Sequence, residues 1–278
     1  MDTLGVIGHG VVGQAVEHGF APYFDVCVYD KHKTPQLGSS GHVCESIYEL
    51  VHKVNGPIFV CVPTPMGLGG ECDTSIVEDV VEEINKAAQF TDDIPVVAIK
   101  STVVPGTTKK LSEKYFNIVI GFNPEFLTER TAIDDFKNQD RVVVGASGSA
   151  LWAICTCFSK AFPKVPIYCC STTEAEMVKY TANVHLATKV ALANEIYQIC
   201  NKLNISYDKV IELATKDQRL GKSHWDVPGP DGMMGFGGTC FPKDINALVF
   251  KACELGIRTH VMEGAWATNL DVRLEREE

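Results

Sequence analysis

Thr3-Leu4-Gly5-Val6-Ile7-Gly8-His9-Gly10-Val11-Val12-Gly13 is a short apolar run that breaks into G-x-G-x-x-G and continues as a helix-like segment. In a strand–turn–helix of this kind each glycine has its own steric task. Gly8 allows the tight turn, Gly10 lets a pyrophosphate approach the backbone, and Gly13 lets the helix pack on the strand. The helix N-terminus then offers amide groups and a positive dipole end to negative charge. Gly8, Gly10, Val11, Val12 and Gly13 are therefore candidate contacts to a dinucleotide. A second apolar run, Asp25–Tyr29, ends in Asp30, about 20 residues on, where a carboxylate meets the adenine ribose hydroxyls. Its charge favours NAD over a 2′-phosphorylated cofactor. Lys31 and Lys33 beside it read as solvated loop cations.

Working outward, the same alternation repeats. Pro57–Val62, Val96–Ile99, Ile118–Gly121, Val142–Val144 and Val165–Cys169 are nearly continuous apolar runs, as strands buried on both faces should be. Between the strands lie the helix-like segments Val11–Phe20, Cys44–Lys53, Thr74–Ala88 and Ser149–Phe162. This predicts an α/β fold whose first part is a Rossmann-like, doubly wound parallel sheet. The pattern changes at Thr172. A stretch of helical periodicity runs to Leu203, with Thr173 and Glu176 spaced as a capping box. Helices are expected at Tyr207–Thr215, Lys243–Leu255 and Val261–Glu277, with a Gly- and Pro-rich loop from Leu220 to Phe241. Residues 1–171 read as a dinucleotide-binding domain and 172–278 as an all-helical second domain.

The net charge of -10 argues against nucleic acid as a partner, since phosphate backbones demand clustered Lys and Arg. The eleven cysteines are odd in number and scattered, which excludes a disulfide framework. None has zinc-ligand spacing, so no metal is expected. Cys27 and Cys61 fall inside apolar runs and read as small buried hydrophobes. The N-terminus lacks a basic and apolar leader, and no run is apolar enough to span a membrane, so a cytoplasmic protein is expected.

Four further segments carry chemistry: Cys61-Val62-Pro63-Thr64-Pro65, Lys100-Ser101-Thr102-Val103-Val104-Pro105-Gly106-Thr107, Asn123-Pro124-Glu125-Phe126-Leu127-Thr128-Glu129-Arg130, and Gly235-Phe236-Gly237-Gly238-Thr239-Cys240-Phe241-Pro242-Lys243-Asp244. The first three lie at carboxyl ends of strands, where ligands bind in open parallel sheets. Cys240 sits in a glycine-rich loop near Lys243 and a helix that should begin near Asp244; a cation and a helix N-terminus both favour thiolate. Lys179 and Asn183, four residues apart on the long helix, share a face. With Glu174–Asn183, EAEMVKYTAN, these segments resemble the UDP-glucose/GDP-mannose dehydrogenase family, in order, from G-x-G-x-x-G to the last helix.

The resemblance implies a four-electron oxidation with two NAD molecules in turn. A nucleotide sugar's primary alcohol becomes an aldehyde, then a thiohemiacetal and thioester on Cys240, and finally a carboxylate. It implies that Lys179 and Asn183 hold the oxyanion and that Glu125, Thr102 and Asp244 handle the hydrolytic water. It implies cofactor contacts at Thr64, Thr102, Glu129 and Lys243, and sugar contacts at Glu125, Phe126, Leu127, Glu129, Lys179, Asn183 and Gly237. The family also has a further nucleotide-binding domain beyond the last helix, which these residues do not reach. A fragment, a naturally short enzyme and a silent NAD- or nucleotide-sugar-binding protein are all compatible with that. So is a two-electron β-hydroxyacid-type dehydrogenase, which needs no nucleophilic cysteine. The family dimerises on the long helix; Val184, Leu186, Ala187, Val190, Ala191, Ala193, Asn194 and Ile196 supply the apolar surface for an expected homodimer.

Overall fold

The computed structural model describes residues 2–32, 34–35, 37 and 41–273. Lys33 and the end of the expected Val261–Glu277 helix therefore lie outside the described residues. The chain divides into two compact units: Met1–Pro65 with Asp73–Lys179, and Met66–Cys72 with Tyr180–Glu278.

The first unit is an eight-stranded sheet flanked by helices. In chain order it runs β1 (Thr3–Ile7), α1 (Val11–Phe20), β2 (Asp25–Tyr29), β3 (His42–Val43), α2 (Ile47–Lys53), β4 (Ile58–Val60), α3 (Ser75–Ala87), β5 (Val96–Ile99), α4 (Thr107–Lys114), β6 (Val119–Phe122), α5 (Ala132–Lys137), β7 (Val142–Gly145), α6 (Gly148–Ala161), β8 (Ile167–Cys170) and the start of α7 (Thr172–Lys202). The spatial order is β3-β2-β1-β4-β5-β6-β7-β8, so the chain reverses direction across the sheet after β3. Neighbours pair parallel except β6 and β7, which meet antiparallel at Phe122 and Gly145. Alternate residues of each strand feed opposite cores. Ile7, Val97 and Ile99 pack with Leu50, Val81 and Ile84 on one face. Val6, Phe59 and Ala98 pack with Val16, Phe20 and Phe158 on the other. Cys27 and Cys61 are buried as expected.

The second unit is helical: the rest of α7, then α8 (Tyr207–Ala214), α9 (Phe241–Glu254) and α10 (His260–Val272). Asn194 and Asn269 tie its long loop down, accepting from the amides of Gly235 (3.1 Å) and Phe236 (2.6 Å). Among the described residues no helix is long and apolar enough to cross a membrane, and no group of three metal-binding side chains occurs.

Two sequence expectations need correction here. The capping box of α7 is Ser171 with Glu174, whose side chains answer each other's amides, rather than Thr173 with Glu176. Glu176 instead leaves its own helix and accepts from Gly106 N (2.6 Å) and Thr108 N (2.8 Å), capping α4. The apolar residues of α7 offered as surplus surface are also mostly consumed within the chain. Val184, Ala187, Val190, Ala191, Ala193 and Asn194 are buried, while Leu192, Ile199 and Leu203 are the exposed ones.

Candidate active site

The glycine motif has the geometry its spacing requires. Gly8 adopts φ 88°, and a side chain there would stand 2.7 Å from the Cys61 carbonyl oxygen. At Gly13 a Cβ would fall 1.9 Å from the Gly8 carbonyl oxygen, so helix α1 can pack this closely only without one. Gly10 caps α1 with no side-chain hydrogen bond, and a Cβ on it would meet nothing within 4 Å. An open approach to amide groups at a helix start fits a pyrophosphate. Asp30 is held at the tip of β2, where Oδ2 accepts from His9 N (2.7 Å) and Oδ1 from His32 N (2.9 Å). Val11 and Glu129 line one cleft of about 360 Å³ together with Gln14 and Arg130. Val12 is partly buried against the core, Thr64 is buried and Thr102 half-buried.

The carboxyl ends of β4, β5 and β6 hold a polar cluster. Glu125 lies just beyond β6 and Lys179 at the first unit's end of α7; they form a buried ion pair of 2.7 Å. Glu125 also accepts from Leu127 N at 2.6 Å. Burial opposes the charge of Glu125, but the Lys179 ammonium outweighs it and holds the carboxyl below its ordinary range. Phe126 packs between cations, with the Arg141 guanidinium 4.3 Å and Lys179 Nζ 5.8 Å from its ring centre. Lys100 Nζ donates to Asn123 Oδ1 at 2.9 Å, and Asn123 Nδ2 donates to the Val143 carbonyl at 2.7 Å. Burial pulls Lys100 down to about 8 and pushes Cys61 up to about 12.

The second unit carries its own group. Helix α9 begins at Phe241 with Cys240 as its N-cap, a turn earlier than the expected start near Asp244; Pro242 suits this first turn. Cys240 is exposed, and Thr239 Oγ1 lies 3.7 Å from its sulfur. Asp244, one turn along, is 1% exposed and accepts from Asn183 Nδ2 at 2.6 Å and from Lys243 Nζ. Burial opposes the charge of Lys243, but Asp244 outweighs it and holds the ammonium above the ordinary lysine value. At Gly237 a side chain would run into the Arg273 guanidinium.

The candidate residues thus fall into a glycine cradle, a Glu125–Lys179 pair and an Asn183–Asp244–Lys243 group beside Cys240. Lys100 and Asn123 have no role in the sequence reading, and Glu176 has only a local capping role there. Lys100 had a signal, because a cation directly after the apolar run Val96–Ile99 enters a buried position.

This is a dinucleotide-binding α/β fold joined to a helical unit that presents a cysteine at a helix start. Residues 39–157 match the NAD binding domain of the UDP-glucose/GDP-mannose dehydrogenase family, and residues 173–271 match its central domain. The chain belongs to that family. It is 33% identical over 226 residues to the UDP-glucose 6-dehydrogenase of Pseudomonas aeruginosa, covering 76% of this chain and 48% of that protein. It is likewise 33% identical to the GDP-mannose 6-dehydrogenase of Pseudomonas putida, over 76% of this chain and 49% of that one. A solved UDP-glucose dehydrogenase from Pyrobaculum islandicum superposes with a TM-score of 0.88 at 28% identity, over 98% of this chain and 68% of that chain. The chain spans about half the length of the curated relatives it matches.

Proposed function

We propose that the chain oxidises the primary alcohol of a nucleotide sugar of the UDP-glucose type to a carboxylate, through a covalent adduct on Cys240. The observation that carries this reading is the first turn of α9. It presents an exposed cysteine as N-cap, with a buried carboxylate one turn along that holds Asn183.

NAD supplies a hydride acceptor in each of two oxidations, held by the glycine cradle, Asp30, Thr64, Thr102, Glu129 and Lys243. The rest of the chemistry belongs to the chain. The Cys240 thiolate adds to the aldehyde carbon, forming a C–S bond and an oxyanion that Lys179 and Asn183 stabilise. Loss of a second hydride from that carbon leaves a thioester. Water, oriented by Glu125, Thr102 and Asp244, adds to the thioester; the C–S bond breaks, the thiol is restored and the carboxylate departs. Phe126, Leu127 and Gly237 shape the sugar pocket. Residues 1–171 serve the cofactor and 172–278 the substrate and a homodimer contact. The family resemblance supports a cytoplasmic role in which the uronic acid product serves glycan-precursor synthesis.

The test is NADH release by the full chain with UDP-glucose, UDP-galactose, UDP-N-acetyl sugars and GDP-mannose. Two NADH per sugar, with Cys240→Ser blocking completion, is the expected result. One NADH per substrate, indifferent to Cys240→Ser, would mean a β-hydroxyacid-type reaction. Tight NAD binding without turnover, with a Cys240 inert to alkylation, would mean a binding protein. A single-chain species alone in sedimentation at micromolar concentration would refute the dimer.

A further inference from the structure

Lys100 is 4% exposed, yet its ammonium has one hydrogen-bond acceptor among the described residues, Asn123 Oδ1. An ammonium has three N–H donors. The remaining surroundings are the faces of Phe136 on α5 and Phe158 on α6, 5.4 and 5.9 Å from Nζ. A methionine would fill such a place at lower cost, because an incompletely satisfied buried charge destabilises a fold. The charged groups that act on Lys100 are few: Cys61 at the end of β4, Glu125 beyond β6 and Lys179 on α7. Cys61 is kept neutral at ordinary pH by its burial. The cluster therefore holds two ammoniums and one carboxylate, and Lys179 already claims the carboxylate directly.

We propose that Lys100 is a positioning residue for the Glu125–Lys179 pair, its buried charge adding to that of Lys179 in holding Glu125 ionised and leaving the cluster one positive charge in excess, which favours an anion forming beside Lys179. The inference rests on the oxidation proposed above. Asn123 gives it a mechanical side: the amide that anchors Lys100 is two residues before Glu125 and is itself fixed to the Val143 carbonyl. The sign of the pH dependence follows. Since burial brings Lys100 down to about 8, the excess charge is present below that pH and is lost above it.

The experiment compares wild type, Lys100→Met and Lys100→Arg across about pH 6 to 10, a range bracketing the perturbed lysine value of about 8. Wild-type kcat should fall as pH rises through the region near 8. Lys100→Met should lower kcat by about tenfold or more with little change in KM, since a nearby charge moves its neighbours by about 1–3 pH units, and its rate should show no decline there. Lys100→Arg keeps its charge throughout and should carry the plateau to higher pH. A Lys100→Met enzyme with wild-type kcat and the same alkaline decline overturns the proposal, as does a Lys100→Arg enzyme with an unmoved decline should Lys100→Met fail to fold.

A readout without turnover separates this from failure of the activity itself. The Glu125 carboxyl, followed by carbon-13 NMR and assigned with Glu125→Gln, should titrate higher in Lys100→Met than in wild type. If the wild-type chain oxidises no nucleotide sugar, the proposed reaction fails, and this titration alone decides Lys100. An upward move supports the charge coupling, and an unchanged titration overturns it.

Discussion

Replacing Glu125 by glutamine should destabilise the first unit more than replacing its partner Lys179 by methionine. Glutamine can still accept from Leu127 N, so the backbone hydrogen bond survives and the loss is mainly of charge. What remains is Lys179, 3% exposed, with Lys100 as its charged neighbour. Removing one partner of a buried ion pair costs about 3–5 kcal/mol. The cost has a ceiling, because Lys100, already near 8, can shed its proton rather than face Lys179 unbalanced. Lys179→Met leaves Glu125 with the Leu127 amide and the Lys100 charge, so it should cost about 1–3 kcal/mol, the usual loss for a partly satisfied buried group. The double variant should recover toward wild type and reveal a coupling of about 2–3 kcal/mol between the two side chains. Urea denaturation at pH 7, followed by circular dichroism, measures all four corners of this cycle. The pair's contribution is present above the ordinary carboxylate pKa and is lost as pH falls through the lower value Glu125 has in the fold, so the cycle should collapse in acid. A Glu125→Gln chain that loses less stability than Lys179→Met, or additivity between the two, would refute this account of the cluster.

Two glycines of the cradle should separate folding from binding. Gly13→Ala drives a methyl group to 1.9 Å from the Gly8 carbonyl oxygen and should cost at least the ~1–3 kcal/mol of ordinary overpacking, read as a lower urea midpoint. Gly10→Ala meets no protein atom within 4 Å, so its denaturation should be unchanged while NAD affinity in a fluorescence titration falls about tenfold or more; unchanged affinity would remove the pyrophosphate from this loop. Glu176→Ala strips the acceptor from two amides of the α4 cap and should cost about 2–4 kcal/mol in the same melts. Burial raises the Glu176 carboxyl, so the advantage of wild type over Glu176→Gln should be greatest below the ordinary carboxylate pKa and shrink as pH rises through the folded value; a gap that widens from pH 4 to 7, on either side of that ordinary value, would contradict it.

The parts of the fold that sequence exposes are those where burial forces composition. Strands covered on both faces must be apolar throughout, so β1, β2 and β5 stand at the bounds their Val and Ile runs indicate. The glycine motif is legible because two of its residues are dictated by contact with backbone atoms. Short or polar elements leave no such trace. Strand β3 has only two residues, both exposed, and α4 is Thr-Thr-Lys-Lys-Leu-Ser-Glu-Lys with one apolar buried residue, Leu111. The antiparallel meeting of β6 and β7 is equally silent, since apolar runs carry no direction. At the candidate site the residue types were legible and the partners were not. Glu176 matched a local spacing rule, but two amides near α4 bind it instead, a contact between segments far apart in sequence.

The hydrogen bonds that hold the candidate residues also constrain how they could act. Lys179 is already given to Glu125 at 2.7 Å, and Asn183 to Asp244 at 2.6 Å. Both acceptors are carboxylates, and a charged acceptor holds a donor about twice as strongly as a neutral one. A carboxylate takes one N–H of each group and leaves the others, since an ammonium has three and a carboxamide two. On the reading proposed above, an oxyanion would gain more from those N–H groups than a sugar hydroxyl or a ground-state carbonyl would, and the interaction would strengthen as negative charge builds on the substrate oxygen, the condition for accelerating a chemical step. The two protein carboxylates would then act by orientation: each fixes its donor group through one hydrogen bond and leaves the remaining N–H groups for the anion.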